Sequence, residues 1–142
     1  MDVLSPKQRA ECMSAIRGKD TAPELSVRRA LYALGHRYRL HVPYLPGRPD
    51  IVFPAKKRII LVNGCFWHRH NCKAGRSMPS VRRTFWMEKL QNNVRRDRLT
   101  IQRLRRLGWR VLVVWQCQLL PKKIEGSMAR MVTFLDKKPR LR

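Results

Sequence analysis

The stretch Leu45-Pro46-Gly47-Arg48-Pro49-Asp50-Ile51-Val52-Phe53-Pro54-Ala55-Lys56-Lys57-Arg58-Ile59-Ile60-Leu61-Val62-Asn63 reads as turn, strand, turn, strand. The Pro-Gly-Arg-Pro cluster punctuates the chain. Asp50 then opens a short strand, Ile51-Val52-Phe53, and residues 54–57 turn the chain back into Arg58–Asn63. That last run is apolar on both faces, the pattern of a strand in the middle of a sheet. Before it, residues 37–42 alternate and end at Pro43. After it, helical spacing predicts a long helix from about Thr84 to Leu107, stopped by Gly108, and Trp109–Trp115 reads as another buried strand. Three strands, a helix and a return strand predict an α/β fold, a mixed central sheet flanked by helices.

The flanks are helical. Ser5-Pro6 reads as an N-cap and first helical residue of a helix running to about Ile16 and ended by Gly18. Thr21-x-x-Glu24 is a capping-box pattern, followed by the stripe Leu25, Ala30, Leu31 and Leu34, with Gly35 as the closing residue. Residues 122–136 predict a last helix before a basic tail. There is no repeat and no Gly/Ser-rich linker. The expectation is one domain over 1–142, with N-terminal helices in 5–34, a core in 37–117, and a C-terminal helix and tail in 122–142.

Charge narrows the partners. Lys and Arg number 32 against 9 acids, a formal net charge of +23. Such a surface repels itself unless a polyanion neutralises it, and nucleic acid is the first candidate. A hydrophobic fraction of 44% calls for a packed core and excludes a merely disordered basic tail. No apolar run approaches the roughly 20 residues of a membrane helix, and the first residues lack a secretory pattern. The expectation is an intracellular protein without a membrane partner. In a reducing compartment its four cysteines pose a question of metal or reactivity, not of disulfides.

Residues 64–83 form a long loop rich in His, Cys, Arg and Ser, and loops of that length in a compact domain are usually functional or clamped. Cys65, His70 and Cys72 fall within eight residues, and Cys117 follows the last core strand. Two thiolates and an imidazole from one loop, plus a thiolate from a strand end, would complete a tetrahedral zinc site. With all four positions filled by protein it would be structural. The spacing is not that of a common zinc finger, so incidental cysteines beside a histidine are the competing reading; His68 and Asn71 are rival local donors. Cys12 has no partner in the pattern and reads as packing.

With only nine acids, each invites a reason. Asp50, at a strand mouth, is placed either as a Mg²⁺ ligand or as an Asx-turn residue. Met87, Leu90, Val94, Ile101 and Leu104 recur at helical spacing, and Asp97 falls on the same stripe. An inward carboxylate needs a partner. Its neighbours Arg95, Arg96 and Arg98 point to other faces; a loop histidine such as His68 is the sharper proposal. Glu24 reads first as the capping-box acid, although a helix N-terminus could also present it to a metal-bound water.

At Leu45–Asp50, Asn63-Gly64-Cys65-Phe66-Trp67-His68-Arg69-His70-Asn71-Cys72, Phe85-Trp86-x-Glu88-Lys89, Asn93-x3-Asp97-Arg98 and Leu107-Gly108-Trp109-Arg110-Val111 the sequence resembles the very-short-patch-repair (Vsr) endonucleases. Asp20-Thr21-x2-Glu24 is similar too, and the likeness runs to about Cys117. The resemblance implies a restriction-endonuclease core acting, as a monomer, on double-stranded DNA. It implies a Mg²⁺-dependent nick 5′ of the thymine in a T:G mismatch. By motif, Asp50 would bind Mg²⁺, His68 would act as general base or acid, Asp97 would orient His68, and Glu24 would support the metal-water shell. Cys65, His70, Cys72 and Cys117 would hold structural Zn²⁺. Phe66, Trp67 and Trp86, with Met13, would wedge beside the mismatch, where unstacking costs least.

The likeness departs at Val62-Asn63, where some relatives carry Thr-His in the active site. Val62 offers no side-chain oxygen, and Asn63 is no acid or base near neutral pH. Two alternatives therefore stand beside mismatch nicking. One is a Vsr-fold, homing-type nuclease cutting matched DNA. The other is a zinc-stabilised nucleic-acid-binding module without catalysis.

Overall fold

The computed structural model describes residues 21–136. The expected helix at 5–16, with Cys12 and Met13, lies outside the described residues. Helix α1, Ala22–Ala33, is capped by Thr21, whose side chain accepts from the Glu24 N–H at 3.5 Å, and Gly35 closes it with φ +94°. The Thr21 half of the capping box is thus formed, and the Glu24 carboxylate also accepts from Arg28 at 3.0 Å and faces His41 at 3.2 Å.

Strands β1 (Arg39–Leu40), β2 (Ile51–Phe53), β3 (Arg58–Asn63) and β4 (Arg110–Trp115) form one sheet in that spatial order. The β1–β2 and β2–β3 pairs are antiparallel, and β3–β4 is parallel. A parallel pair needs a crossover, supplied here by the 24-residue helix α3, Arg83–Arg106, which follows the short helix α2, Lys73–Arg76. Helix α4, Ile124–Asp136, ends the described chain. The mixed sheet flanked by helices is as the sequence predicts.

Alternation along the strands sorts the core into two layers. Ile51, Phe53 and Ile60 pack with Val27 and Leu31 of α1 and Met131 and Leu135 of α4. Val52 and Ile59 pack on the other side with Val42, Leu45 and Leu104 of α3. This is why β3 is apolar on both faces. Its first residue, Arg58, is nonetheless buried: it donates to the Phe134 carbonyl at 2.9 Å, while Lys56 donates to that of Leu135 at 3.1 Å. Two cations thus satisfy the last carbonyls of α4, where the helix dipole is negative.

Three expectations need correction. Residues 37–42 supply only a two-residue strand. The chain turns away at His41, which has φ +47°. The 109–115 run lies at the sheet's edge, and of β4 only Val114 is fully buried. Met87 leaves the apolar stripe of α3 and is 41% exposed; the inward face there is Leu90, Asn93 and Leu104.

Candidate active site and cysteine–histidine cluster

The Pro-Gly-Arg-Pro turn brings the chain against α3. Gly47 has φ +76°, and a Cβ there would lie 2.4 Å from the Thr100 side chain, so this turn requires glycine. The turn delivers Asp50 to the mouth of β2. There the Asp50 carboxylate accepts from the Val62 N–H of β3 at 3.0 Å. The Asx-turn reading is thereby corrected: the tether is to a neighbouring strand. Burial pushes the Asp50 carboxyl up to about 6, against the pull of the Val62 N–H, and the nearby Glu24 carboxylate adds to the rise.

Glu24, Asp50, Val62, Asn63, His68 and Asp97 all line one cavity of about 660 Å³. His68 reaches it from the turn after β3, and its Nδ1 lies 2.5 Å from Asp97 Oδ2 on α3. The carboxylate-to-imidazole pairing expected from the helical stripe is present. Asp97 is half-buried at the cavity wall, not sunk in the core. With Nδ1 engaged, Nε2 is the nitrogen left for a substrate.

Asn93, one turn before Asp97, was given no role by the sequence reading. It is buried, donates to the Trp67 carbonyl at 3.1 Å and accepts from Arg96 at 2.5 Å, which fixes the loop carrying His68. Phe66 and Trp67 also line the cavity and are half-buried. Their rings stand 5.8 and 5.7 Å from that of Trp86. Both can be half-buried because residues 65–69 are turn, not extended chain.

His41 is a second residue to which that reading gave no role. Its Nε2 lies 3.2 Å from Glu24 Oε2, and its N–H donates to the Asp50 carbonyl at 3.2 Å. Glu24, His41 and Asp50 offer one ligand atom each within 4.8 Å of one another. The usable signal was hairpin register, since His41 stands one step past the Leu40–Ile51 pair and so opposite Asp50.

A second cluster joins the long loop to the end of β4. The Cys65, Cys72 and Cys117 sulfurs and His70 Nδ1 lie within 4.8 Å of one another. Backbone N–H groups of Gly75 and Cys117 each point at a sulfur, Cys72 and Cys65 respectively, at 3.4 Å. Burial pushes the Cys65 thiol up to about 12, while the Gly75 N–H draws Cys72 down. Cys72 caps α2, where a Cβ on Gly75 would fall 1.8 Å from the His70 carbonyl oxygen. The rival donors are otherwise engaged: His68 with Asp97, and Asn71 Oδ1 with Arg76. Trp115 spans the two sites, stacked on His70 at 4.3 Å and edge-on to His68 at 6.5 Å.

The family model described as DNA mismatch endonuclease Vsr matches residues 1–74. The chain belongs to the Vsr family. It is 47% identical over 135 residues to the type II nicking enzyme V.XorIIP of Xanthomonas oryzae pv. oryzae, covering 95% of this chain and 97% of that one. It is 44% identical over 118 residues to the DNA mismatch endonuclease Vsr of Escherichia coli K12, covering 83% and 75%. Vsr membership makes the chain an endonuclease acting on DNA, in keeping with Arg95, Arg98 and Arg105 exposed along α3. Among the described residues no helix is long and apolar enough to cross a membrane.

Proposed function

We propose that this chain is a single-domain, monomeric mismatch endonuclease with a restriction-endonuclease-type core. It would nick one strand of duplex DNA 5′ of the thymine of a T:G pair. The observation carrying this reading is the convergence of Glu24, Asp50, His68 and Asp97 on one cavity. Two neighbouring carboxylates in a protein of net charge +23 call for a cation, and Asp50 with Glu24 fits the one or two carboxylates Mg²⁺ prefers. When bound, Mg²⁺ would neutralise charge on the scissile phosphate and lower the pKa of a water.

The chain's own residues do the rest. The Val62 N–H holds the Asp50 carboxylate in place. Asp97 fixes the tautomer of His68, which moves a proton between water and the phosphodiester. The water oxygen bonds to phosphorus, and the bond to the leaving sugar oxygen breaks. Phe66, Trp67 and Trp86 form one aromatic body at the cavity rim, suited to wedge beside a base step whose pairing is already faulty. Three thiolates and an imidazole with N–H groups aimed at two of the sulfurs suit Zn²⁺, which would pin the loop carrying His68.

A second reading, a nuclease of matched DNA, is favoured by Val62 and Asn63 standing in the cavity wall in place of Thr-His. A strand-resolved assay on labelled duplexes separates the two. A T:G substrate is run beside matched T:A and C:G versions, with Mg²⁺ and with chelator. A Mg²⁺-dependent nick confined to the T strand of the mismatch is expected. Cleavage of matched DNA would establish the second reading, and binding without cleavage of any duplex would refute both.

A further inference from the structure

Behind the Glu24 and Asp50 carboxylates of the cavity stands a group to which the proposed mechanism gives no role, the imidazole of His41. Three observations mark it. Its side chain is 12% exposed and its Nε2 faces a Glu24 carboxylate that is 3% exposed. Its backbone sits at φ +47°, a left-handed conformation uncommon outside glycine, although His, Asn and Asp enter it more readily than other residues and Arg48, Lys57, Arg69 and Arg82 share it here. Such outliers are held in place by their surroundings and concentrate at functional sites. Its N–H is bonded to the carbonyl of Asp50, so the backbone that places Asp50 also places His41.

The spacing is informative. Two oxygens or nitrogens that neighbour each other on an octahedral ion with bonds of about 2.1 Å are roughly 3 Å apart. His41 Nε2 and Glu24 Oε2 are 3.2 Å apart, and a ligand atom of Asp50 lies within 4.8 Å of both. An imidazole nitrogen and a carboxylate oxygen at that distance are bridged by a proton or a cation, and the same Oε2 also accepts from Arg28 at 3.0 Å. The adjacent Asp50 makes a cation the better match.

We propose that His41 is a direct ligand of the catalytic cation, completing a mixed site with Glu24 and Asp50. The inference rests on the metal-dependent reading above. An all-oxygen site suits Mg²⁺, whereas an imidazole ligand raises affinity for Mn²⁺ and later divalent metals. The site therefore favours Mn²⁺ over Mg²⁺.

The test uses the full chain carrying one equivalent of zinc, so that the Cys65–Cys117 cluster is filled before Mn²⁺ is added. Pulsed electron paramagnetic resonance of the Mn²⁺ complex should show a directly bound nitrogen. That signal should vanish in His41→Gln and in His41→Asn, the latter chosen because Asn tolerates a left-handed backbone. By calorimetry, Mn²⁺ should bind the wild type at least tenfold more tightly than Mg²⁺, and the preference should shrink to a few-fold in both variants. A wild-type spectrum without nitrogen coupling, or one unchanged by both substitutions, would overturn the proposal. The endonuclease reading fails separately: a nitrogen-coupled complex that cleaves no duplex refutes that reading and leaves the ligand assignment standing, whereas cleavage without nitrogen coupling does the reverse.

Discussion

Asp50→Asn should stabilise the metal-free protein while removing its activity. Burial, reinforced by Glu24, lifts the Asp50 carboxyl from 3.8 to about 6 in the folded chain. A raised carboxyl pKa means that the folded state holds this proton more tightly than the unfolded state does. Stability is therefore lost as pH rises from about 4 through about 6. At 1.36 kcal/mol per unit the cost reaches about 3 kcal/mol at pH 7.5, against about 1 kcal/mol at pH 4.5. Asn is nearly isosteric and its oxygen still accepts from the Val62 N–H, so the substitution removes the charge without orphaning that donor. At roughly 3 °C per kcal/mol for a chain of this size, Tm at pH 7.5 should rise by up to about 10 °C, and at pH 4.5 by about a third as much. Thermal unfolding in magnesium-free buffer without chelator measures this and would not strip the zinc proposed for the cysteine cluster. Adding Mg²⁺ should then raise the wild-type Tm and not that of Asp50→Asn. A variant no more stable than wild type, or a gain equal at both pH values, would show that the carboxylate is not destabilised by its site and that the argument for a cation there is wrong.

Asp97→Asn should lower kcat by about 10²–10⁴ with little change in KM, since it leaves His68 in place but removes its orienting carboxylate; single-turnover cleavage measures it, and a loss confined to KM would assign Asp97 to DNA binding. Cys72→Ala should lower Tm by roughly 10 °C or more, far beyond any loss in Asp50→Ala, because a structural zinc ligand carries part of a binding energy on the order of 10 kcal/mol. Equal melting shifts for the two variants, with no zinc by metal analysis, would remove the structural-zinc claim. Affinity for duplex DNA should fall by about 10³ or more between 50 and 200 mM salt, as expected where several phosphates are neutralised. A flat response in a fluorescence-anisotropy titration would contradict the reading of the basic surface.

How far the sequence reaches is clearest at β3. Its apolar run predicts a central strand, and Val52 and Ile59 on one side with Ile51 and Ile60 on the other bear that out. Period and caps also place α1, α3 and α4 to within two residues. Asp97 was legible because a single acid on an apolar stripe demands a partner, and with Arg95, Arg96 and Arg98 on other faces of the helix a loop histidine was the sharper choice. The cysteine cluster was legible from residue type and spacing taken together with the family resemblance. His41 and Asn93 were not. Nothing in local pattern separates a histidine at the end of an alternating stretch from a surface one. Its role arises from the hairpin pairing that sets it opposite Asp50, and from a positive φ that no propensity announces. Asn93 acts through a main-chain carbonyl 26 residues away, a partner without sequence signature.

The departure at Val62-Asn63 looks different once the strand is in place. The contact that β3 makes with Asp50 comes from the backbone of Val62, not from its side chain. Any residue compatible with a central strand can supply that N–H, so loss of a hydroxyl at this position leaves the Asp50 tether whole. Asn63 is buried opposite Trp115 in the parallel register, and Trp115 in turn stacks on His70 of the cysteine cluster. A neutral amide at such a buried site removes one acid–base group from the cavity, while His68 with Asp97 remains in it. Under the proposed mechanism proton transfer would rest on His68, and the Asp50 tether forms here without a side-chain hydroxyl at position 62.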